Sequence, residues 1–251
     1  MVSVASGMFQ MGSPEGVGEN NERPQHWVTL TQNYNIGKYE VTQGQWLAVM
    51  GEWLPDREPY SSSAGNDYPA YNVSWNDVVG TSSSAVGYEI NGITYYQNGF
   101  CYKLSQLAGG GKQYRLPTEA EWEFAARGGN TGKDNNYIYS GSNVINDVAW
   151  YFANTNPAGP RVVGGKSPNE LGIYDMSGNV SEMCGDFYSS ESYTSDGRTN
   201  PTGPETGYEL RVIRGGSWNN NSASCRVAYR GAFAIHGFGN LVGFRLACSS
   251  N

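Results

Sequence analysis

The chain has 251 residues, of which 34 are glycine and 11 are proline, and its 16 basic and 23 acidic side chains give a formal net charge of −7. Glycine and proline interrupt helices, so this composition excludes a coiled coil or a helical bundle. The acidic balance, without any Lys/Arg cluster, argues against nucleic acid or an anionic membrane surface as partner, and the sequence has no apolar run long enough for a transmembrane helix.

The first elements predicted along the chain are two short strands, over residues 8–12 and 26–31, where apolar residues alternate with polar or small ones. A capping box follows, in which Thr42 and Gln45 stand three residues apart ahead of an apolar run. We predict a helix that begins there and ends at Gly51.

A second helix start is predicted at Ser74, which has Asp77 three residues later. Residues 89–94 have the pattern of a β-hairpin, because the Asn91-Gly92 pair favours a type I′ turn.

The third capping box, Thr118 with Glu121, predicts a helix that closes at Gly128. From residue 129 to residue 251 there is no helical periodicity, and short aromatic segments alternate with Gly, Asn, Ser and Pro. We find neither a repeat nor a linker, and therefore expect one α+β domain over residues 1–251.

Cysteines and histidines are few, which limits metal chemistry. The cysteines form no CxxC pair, which argues against structural zinc, and two disulfides stay open because four cysteines allow three pairings. His26 and His236 are too few for a histidine-rich metal centre, and for each a packed or surface imidazole is the more frequent role. The four cysteines are Cys101, Cys184, Cys225 and Cys248.

Several separated segments resemble the formylglycine-generating-enzyme, or sulfatase-modifying factor, family, in order and over nearly the whole chain. The resemblance implies a C-type lectin fold of that family's type: α+β, with few short helices, small antiparallel sheets and much irregular loop. The segments are 7–13 (GMFQMGS), 39–42 (YEVT), 114–123 (YRLPTEAEWE), 172–180 (GIYDMSGNV), 214–218 (RGGSW) and 243–246 (GFRL).

The resemblance also bears on catalysis. In active family members two cysteines, with four residues between them, bind copper and activate oxygen to oxidise a sulfatase cysteine. Here the second position is Cys225 and the first is Asn220. Because Cu(I) prefers two thiolates, we predict no oxidase activity and no catalytic cofactor. Related iron-dependent sulfur-transfer enzymes need three histidines, which this chain lacks. A divergent oxidase or protein-modifying enzyme using Cys225 alone is the alternative.

The end of the chain resembles the variable proteins of diversity-generating retroelements, in particular the Treponema variable protein built on this fold. In that system adenines of Asn codons are randomised, which never yields Lys, Glu, Gln, Met or Trp, and residues 222–242 contain none of these. The resemblance implies a non-enzymatic ligand-binding protein whose variable ligand-binding region is formed by residues 211–251. The sequence does not identify the ligand, which can be a protein, a glycan or a small molecule.

Such a region needs exposed side chains whose exchange leaves the fold intact. Tyr229, Phe233 and Phe238 are the predicted anchors, because aromatic rings give large and rigid contact area; the alternative is that they are buried in the last strands. We interpret Arg214, Trp218 and Arg245 instead as framework residues. The predicted ligand-binding residues are Ser222, Ser224, Tyr229, Gly231, Ala232, Phe233, His236, Phe238 and Asn240.

A structural calcium ion is also implied by the resemblance. Its ligands would be the side chains of Asp175 and Glu182 and the main-chain carbonyls of Gly178 and Val180, a set of oxygens that suits Ca²⁺. The alternative is that both acids are ordinary turn and surface residues.

We expect a monomer that is displayed on the cell surface or outside the cell. Residues 1–10 lack the basic start and apolar run of a signal peptide, so we expect the lipid anchor or signal to lie outside this sequence.

Overall fold

The structure, a computed structural model, describes residues 1–83, 86–155, 159–205 and 209–250. The helices in these ranges are short, as predicted, and none exceeds nine residues. They are α1 (Gln43–Met50), α2 (Trp75–Val79), α3 (Phe100–Ala108), α4 (Glu119–Ala126), α5 (Gly129–Gly132) and α6 (Ile145–Val148), with 3-10 turns at Asn20–Glu22, Ser61–Ser63 and Ser222–Cys225.

The strands are equally short and form four small sheets within the described ranges. They are β1 (Val2–Val4), β2 (Gly7–Met11), β3 (His26–Leu30), β4 (Tyr34–Ile36), β5 (Gly87–Ile90), β6 (Ile93–Tyr96), β7 (Tyr114–Arg115), β8 (Ser181–Phe187), β9 (Arg198–Thr199), β10 (Leu210–Arg214), β11 (Arg230–Ala234), β12 (Val242–Gly243) and β13 (Ala247–Ser249).

Sheet order is β1-β4-β13-β7, β11-β10-β8-β12, β2-β3-β9 and β5-β6. Most pairs are antiparallel, as expected, while β8–β12 and β3–β9 are parallel pairs of two residues each. In the second sheet β11 is an edge strand that pairs with β10. Three predicted ligand-binding residues, Gly231, Ala232 and Phe233, therefore lie on the edge strand of a sheet.

Local signals account for three helices and the hairpin. All three predicted capping boxes are present, at Thr42, Ser74 and Thr118. Asn91 (φ 55°) and Gly92 (φ 74°) both lie in the left-handed region, as a type I′ turn requires. The sequence analysis missed α3, because its N-cap residue Gly99 has no side chain that could cap the helix. The absence of helical periodicity after residue 128 did not predict the four-residue helices α5 and α6, which also lack a side-chain cap.

Two hydrophobic cores lie on opposite faces of the second sheet, and neighbouring residues of one strand alternate between them. Val212 and Cys184 belong to the first core, whereas Met183 belongs to the second and Ile213 packs against it. This alternation is the period of two expected for a strand buried on both faces. All four cysteines are buried and free, so the structure contains no disulfide among them.

Candidate ligand-binding face

The main chain of residues 230–243, which carries most of the predicted ligand-binding residues, is paired into one sheet at both of its ends. The edge strand β11 pairs with β10 along its whole length, from Arg230 opposite Arg214 to Ala234 opposite Leu210. Residues 235–240 then leave the sheet as a loop, which we call the variable loop. The chain returns to the same sheet at β12, beside β8.

Main-chain hydrogen bonds also fasten the variable loop to the turn that precedes α2 and to its first residues. The carbonyl of Ile235 accepts from the backbone N–H of Asn76 at 3.2 Å, and the carbonyl of Gly239 accepts from the N–H of Asn72 at 3.1 Å. Because these bonds use backbone atoms of the loop, they do not depend on which side chains the loop carries.

The side chains of this segment face outward to different degrees. Phe238 is 50% exposed, and Ala232 and His236 are also exposed. The alternative of burial in the last strands is therefore wrong for Phe238, whereas the half-buried Phe233 packs against the second core. The other predicted residues are half-buried, namely Ser222, Ser224, Tyr229, Gly231, Phe233 and Asn240.

Strand alternation divides the predicted residues of β11 into two groups. Gly231 and Phe233 face Ile213 and the second core, and a methyl group on Gly231 would lie 2.9 Å from Cγ1 of Ile213. Ala232 lies on the other face of the strand and is exposed. Position 231 therefore has little room for a larger residue, whereas position 232 is open.

The second part of the predicted set lies apart from the loop. It includes the 3-10 turn Ser222–Cys225, which is followed by Arg226, whose guanidinium bonds both oxygens of the Glu22 carboxylate at 2.6 and 2.7 Å. No hydrogen bond or ring contact among the described residues joins the side chains of this turn or of Tyr229 to those of residues 231–240. The structure thus supports a compact site at the variable loop more directly than one spanning all nine residues.

A buried charged network lies behind β11. Arg230 bonds both carboxylate oxygens of Glu119 at 2.6 and 2.7 Å, while Arg214 bonds Glu119 and Glu123. Burial alone would raise the pKa of Glu119, but the nearby Arg230 and Arg214 guanidinium groups outweigh it and hold that pKa below its ordinary value. This network fixes the strand from which the face begins.

The residues interpreted as framework are indeed buried. Arg214 and Arg245 are fully buried, and Arg245 donates to both oxygens of Glu182. Trp218 is 7% exposed and donates its indole N–H to the carbonyl of Asn240 at 2.8 Å, which adds a further anchor at the end of the variable loop.

Of the two positions that the resemblance implies for copper, only one carries a thiol. Oδ1 of Asn220 accepts from the N–H and the hydroxyl of Ser217, at 2.8 and 2.7 Å, so this side chain stabilises a turn. Cys225 is fully buried, and burial raises the pKa of its thiol to about 12. The thiol is therefore protonated at neutral pH and closed to solvent, which is unlike a reactive cysteine.

The residues named for calcium do not fit the ion as they stand. Both oxygens of Glu182 are held by Arg245, and one also accepts from the indole of Trp122 at 2.6 Å. One oxygen of Asp175 accepts from the N–H of Gly164 at 2.6 Å. A cation would have to displace the Arg245 guanidinium, and no cluster of acidic, Cys and His side chains in the described ranges could hold a metal. Calcium stays a prediction.

The sequence analysis missed the residues that border the variable loop. The guanidinium carbon of Arg57 lies 4.0 Å from the ring centroid of Phe238, and Arg57 is itself held by Asp77 at 2.9 Å. The side chain of Asn76 lies 3.0 Å from Nδ1 of His236. These pairs are far apart in sequence, so no local pattern could have revealed them.

Comparison with known proteins agrees with this architecture. The chaperone protein LppX of Paenibacillus barcinonensis is 35% identical over 278 residues, which cover 99% of this chain and 89% of that protein. A formylglycine-generating enzyme of Thermomonospora curvata is 31% identical over 313 residues, covering 98% and 92% respectively.

Among solved structures, Treponema denticola variable protein 1 matches with a TM-score of 0.77 and 29% identity, covering all of this chain and 95% of that one. This similarity confirms the predicted fold class and the predicted resemblance to a variable protein. The model of the sulfatase-modifying factor enzyme 1-like domain matches residues 1–250. The chain therefore belongs to the sulfatase-modifying factor enzyme 1-like family.

Proposed function

We propose that this protein binds ligands and catalyses no reaction, and that the variable loop with the outer face of β11 forms its binding face. One observation carries the proposal: the main chain of residues 235–240 is fastened through backbone atoms, while Ala232, His236 and Phe238 present exposed side chains. Exchange of such side chains changes binding but leaves the fold intact. The similarity to a variable protein supports this function, as does the similarity to a relative named a chaperone.

We further propose that a retroelement diversifies this region. The absence of Lys, Glu, Gln, Met and Trp from residues 222–242 supports randomised Asn codons. Sister genes should then differ at positions 232, 236 and 238 and agree at Arg214 and Arg230. The neighbouring DNA should hold a near-copy of the gene's end that differs at adenines, together with a reverse transcriptase gene. Variation spread uniformly along the chain would refute diversification by a retroelement. Neighbouring DNA that lacks both the near-copy and the reverse transcriptase gene would refute it as well.

We also propose that the protein is a monomer displayed on the cell surface and held there by an N-terminal lipid anchor. A diversified binding face would meet its ligands outside the cell. None of the described helices is long and apolar enough to cross a membrane. Protease treatment of intact cells should degrade the protein, and sedimentation should give the mass of one chain. Protection in intact cells or a dimer mass would contradict these two points separately.

The second candidate function is oxidation of a protein cysteine through Cys225, which the similarity to a formylglycine-generating enzyme favours. Its buried, protonated thiol and the structural role of Asn220 argue against it. Copper titration and oxidation of a cysteine-containing peptide would decide, with Cys225→Ser as test and the equally buried Cys248→Ser as control. Stoichiometric copper that is lost only in Cys225→Ser would support the enzyme and overturn the binding proposal.

A further inference from the structure

A second loop, residues 56–60, lies directly beside the variable loop. Asn72 joins the two: its side-chain amide donates to the carbonyl of Glu58 at 3.4 Å, and its backbone N–H donates to the carbonyl of Gly239 at 3.1 Å. Because Asn72 is only 6% exposed, this bridge lies beneath the surface. The side chains of both loops therefore share one outer surface.

This shared surface carries two large aromatic side chains. Tyr60 is 57% exposed and Phe238 is 50% exposed. The backbone N–H of Tyr60 donates to the hydroxyl of Tyr71 at 2.8 Å, which fixes its main chain, while its own hydroxyl has no hydrogen bond among the described residues. Exposed aromatic side chains on a hydrogen-bonded main chain are typical of protein-binding surfaces.

The charge of this surface is negative. Asp56 and Glu58 are exposed, and within the described part of the chain neither has an ion-pair partner. Arg57 lies between them, but its charge is balanced by the carboxylate of Asp77 at 2.9 Å, and its flat face is covered by the ring of Phe238. The unbalanced charges at the rim are therefore those of two carboxylates.

We infer that residues 56–60 form a fixed half of the binding face, and that the face fits a protein segment presenting lysine or arginine beside apolar side chains. The aromatic pair would take the apolar groups, and Asp56 and Glu58 would take the cations at the rim. This inference rests on the proposed function, and adds that the fixed loop gives every variant of the protein the same preference for basic segments.

The test is binding of two labelled decapeptides by fluorescence anisotropy at low salt. One peptide contains four lysines and three leucines, and the other has glutamate in place of each lysine. The test variants are Tyr60→Ala and the double variant Asp56→Asn/Glu58→Gln. The matched control for charge is Glu89→Gln/Glu191→Gln, which removes two exposed carboxylates elsewhere.

We expect the lysine peptide to bind at least about tenfold more tightly than the glutamate peptide, a difference of about 1.4 kcal/mol. Asp56→Asn/Glu58→Gln and Tyr60→Ala should each weaken its binding about fivefold, whereas the control should change it less than twofold. Equal weakening in the control would show that only total charge matters, and would overturn the inference.

The variant Phe238→Ala separates this inference from the proposed function. If Phe238→Ala weakens binding but Tyr60→Ala and Asp56→Asn/Glu58→Gln do not, the fixed half is wrong and the variable loop still binds. Failure of the wild-type protein to prefer the lysine peptide would also overturn the inference. The proposed function would then still be tested by the comparison of sister genes, because that comparison does not depend on the charge of the ligand.

Discussion

Arg230, at the start of β11, and Phe238, in the variable loop, lie eight positions apart, yet one side chain is buried and the other is exposed. Arg230 is 2% exposed and bonds both oxygens of Glu119, whereas Phe238 is 50% exposed and makes its one described ring contact with Arg57. The first residue belongs to a buried charged network and the second to a surface. The chain thus places an exposed aromatic side chain close in sequence to a buried, ion-paired one.

Under the proposed function, this contrast separates the residues that stabilise the fold from those that bind ligand. Side chains hold β11 from behind, through the network of Arg230, Arg214 and Glu119. Backbone atoms hold the variable loop, through Asn72 and Asn76. Substitutions behind the strand should therefore cost folding free energy, and substitutions in the loop should change binding. The following four changes test this division, in order of decreasing effect.

Arg230→Met should destabilise the protein most, because it leaves the buried Glu119 carboxylate with Arg214 as its remaining described cation. Losing one partner of a buried ion pair costs about 3–5 kcal/mol, measured as the free energy of unfolding in urea. The control Arg198→Met, on the exposed strand β9, should change it by less than about 0.5 kcal/mol. An equal loss of unfolding free energy in both variants would show that the buried ion pair of Arg230 stabilises the fold no more than an exposed arginine does.

The buried carboxyl of Asp186 should make stability depend on pH. It accepts from the N–H of Glu119 at 2.8 Å, and burial raises its pKa to about 8. The unfolded chain releases this proton near pH 4, as an exposed aspartate does, while the folded chain keeps it up to about pH 8. Stability should therefore fall as pH rises between these values, by at most about 1.4 kcal/mol per pH unit.

Asp186→Asn removes this titration and keeps an oxygen that can accept from Glu119. Urea unfolding at pH 5 and pH 8 should show a smaller difference in the variant than in the wild-type protein. The same difference in both proteins would mean that Asp186 ionises normally and is not the cause.

Gly231→Val and Ala232→Val test the division within β11 at neighbouring positions. The added side chain at position 231 meets Cγ1 of Ile213 and should cost about 1–3 kcal/mol of unfolding free energy. At position 232 it extends into solvent and should cost less than about 0.5 kcal/mol. If both are tolerated equally, β11 moves away from Ile213 freely and position 231 can vary as well.

Phe238→Ala should have the smallest effect on folding, less than about 1 kcal/mol, because the exposed ring loses mainly its contact with Arg57. The control Phe244→Ala, at a fully buried ring of the second core, should cost about 3–5 kcal/mol. A comparable loss for Phe238→Ala would place its ring among the structural residues and contradict its assignment to the binding face.

The sequence analysis was most successful where the signal is local. Capping boxes predicted the starts of α1, α2 and α4, at Thr42, Ser74 and Thr118, because a capping box involves residues only three positions apart. The order of the family motifs predicted the fold class. The helix α3 was missed because Gly99 offers no capping side chain, although Phe100, Cys101 and Leu104 follow a helical spacing. The four-residue helices α5 and α6 were missed as well, and neither has a side-chain cap.

The candidate site was predicted only in part. The exposed residues of the variable loop follow from the resemblance to variable proteins, but the division of β11 into an open and a closed face depends on Ile213. The partners Arg57 and Asn76 depend on contacts between distant segments. The ion pair between Arg245 and Glu182, one of the residues predicted for calcium, equally depends on contacts between distant segments.

The sequence by itself therefore determined three of the six described helices, the hairpin, the family, and the stretch in which binding residues should be sought. Tertiary structure alone decided which side chains of that stretch are free, because burial depends on what packs against a residue from elsewhere in the chain. Tyr60 became part of the candidate face for the same reason, since Asn72 brings its loop beside Gly239. Hydrogen bonds between remote backbone atoms leave no pattern in the sequence that forms them.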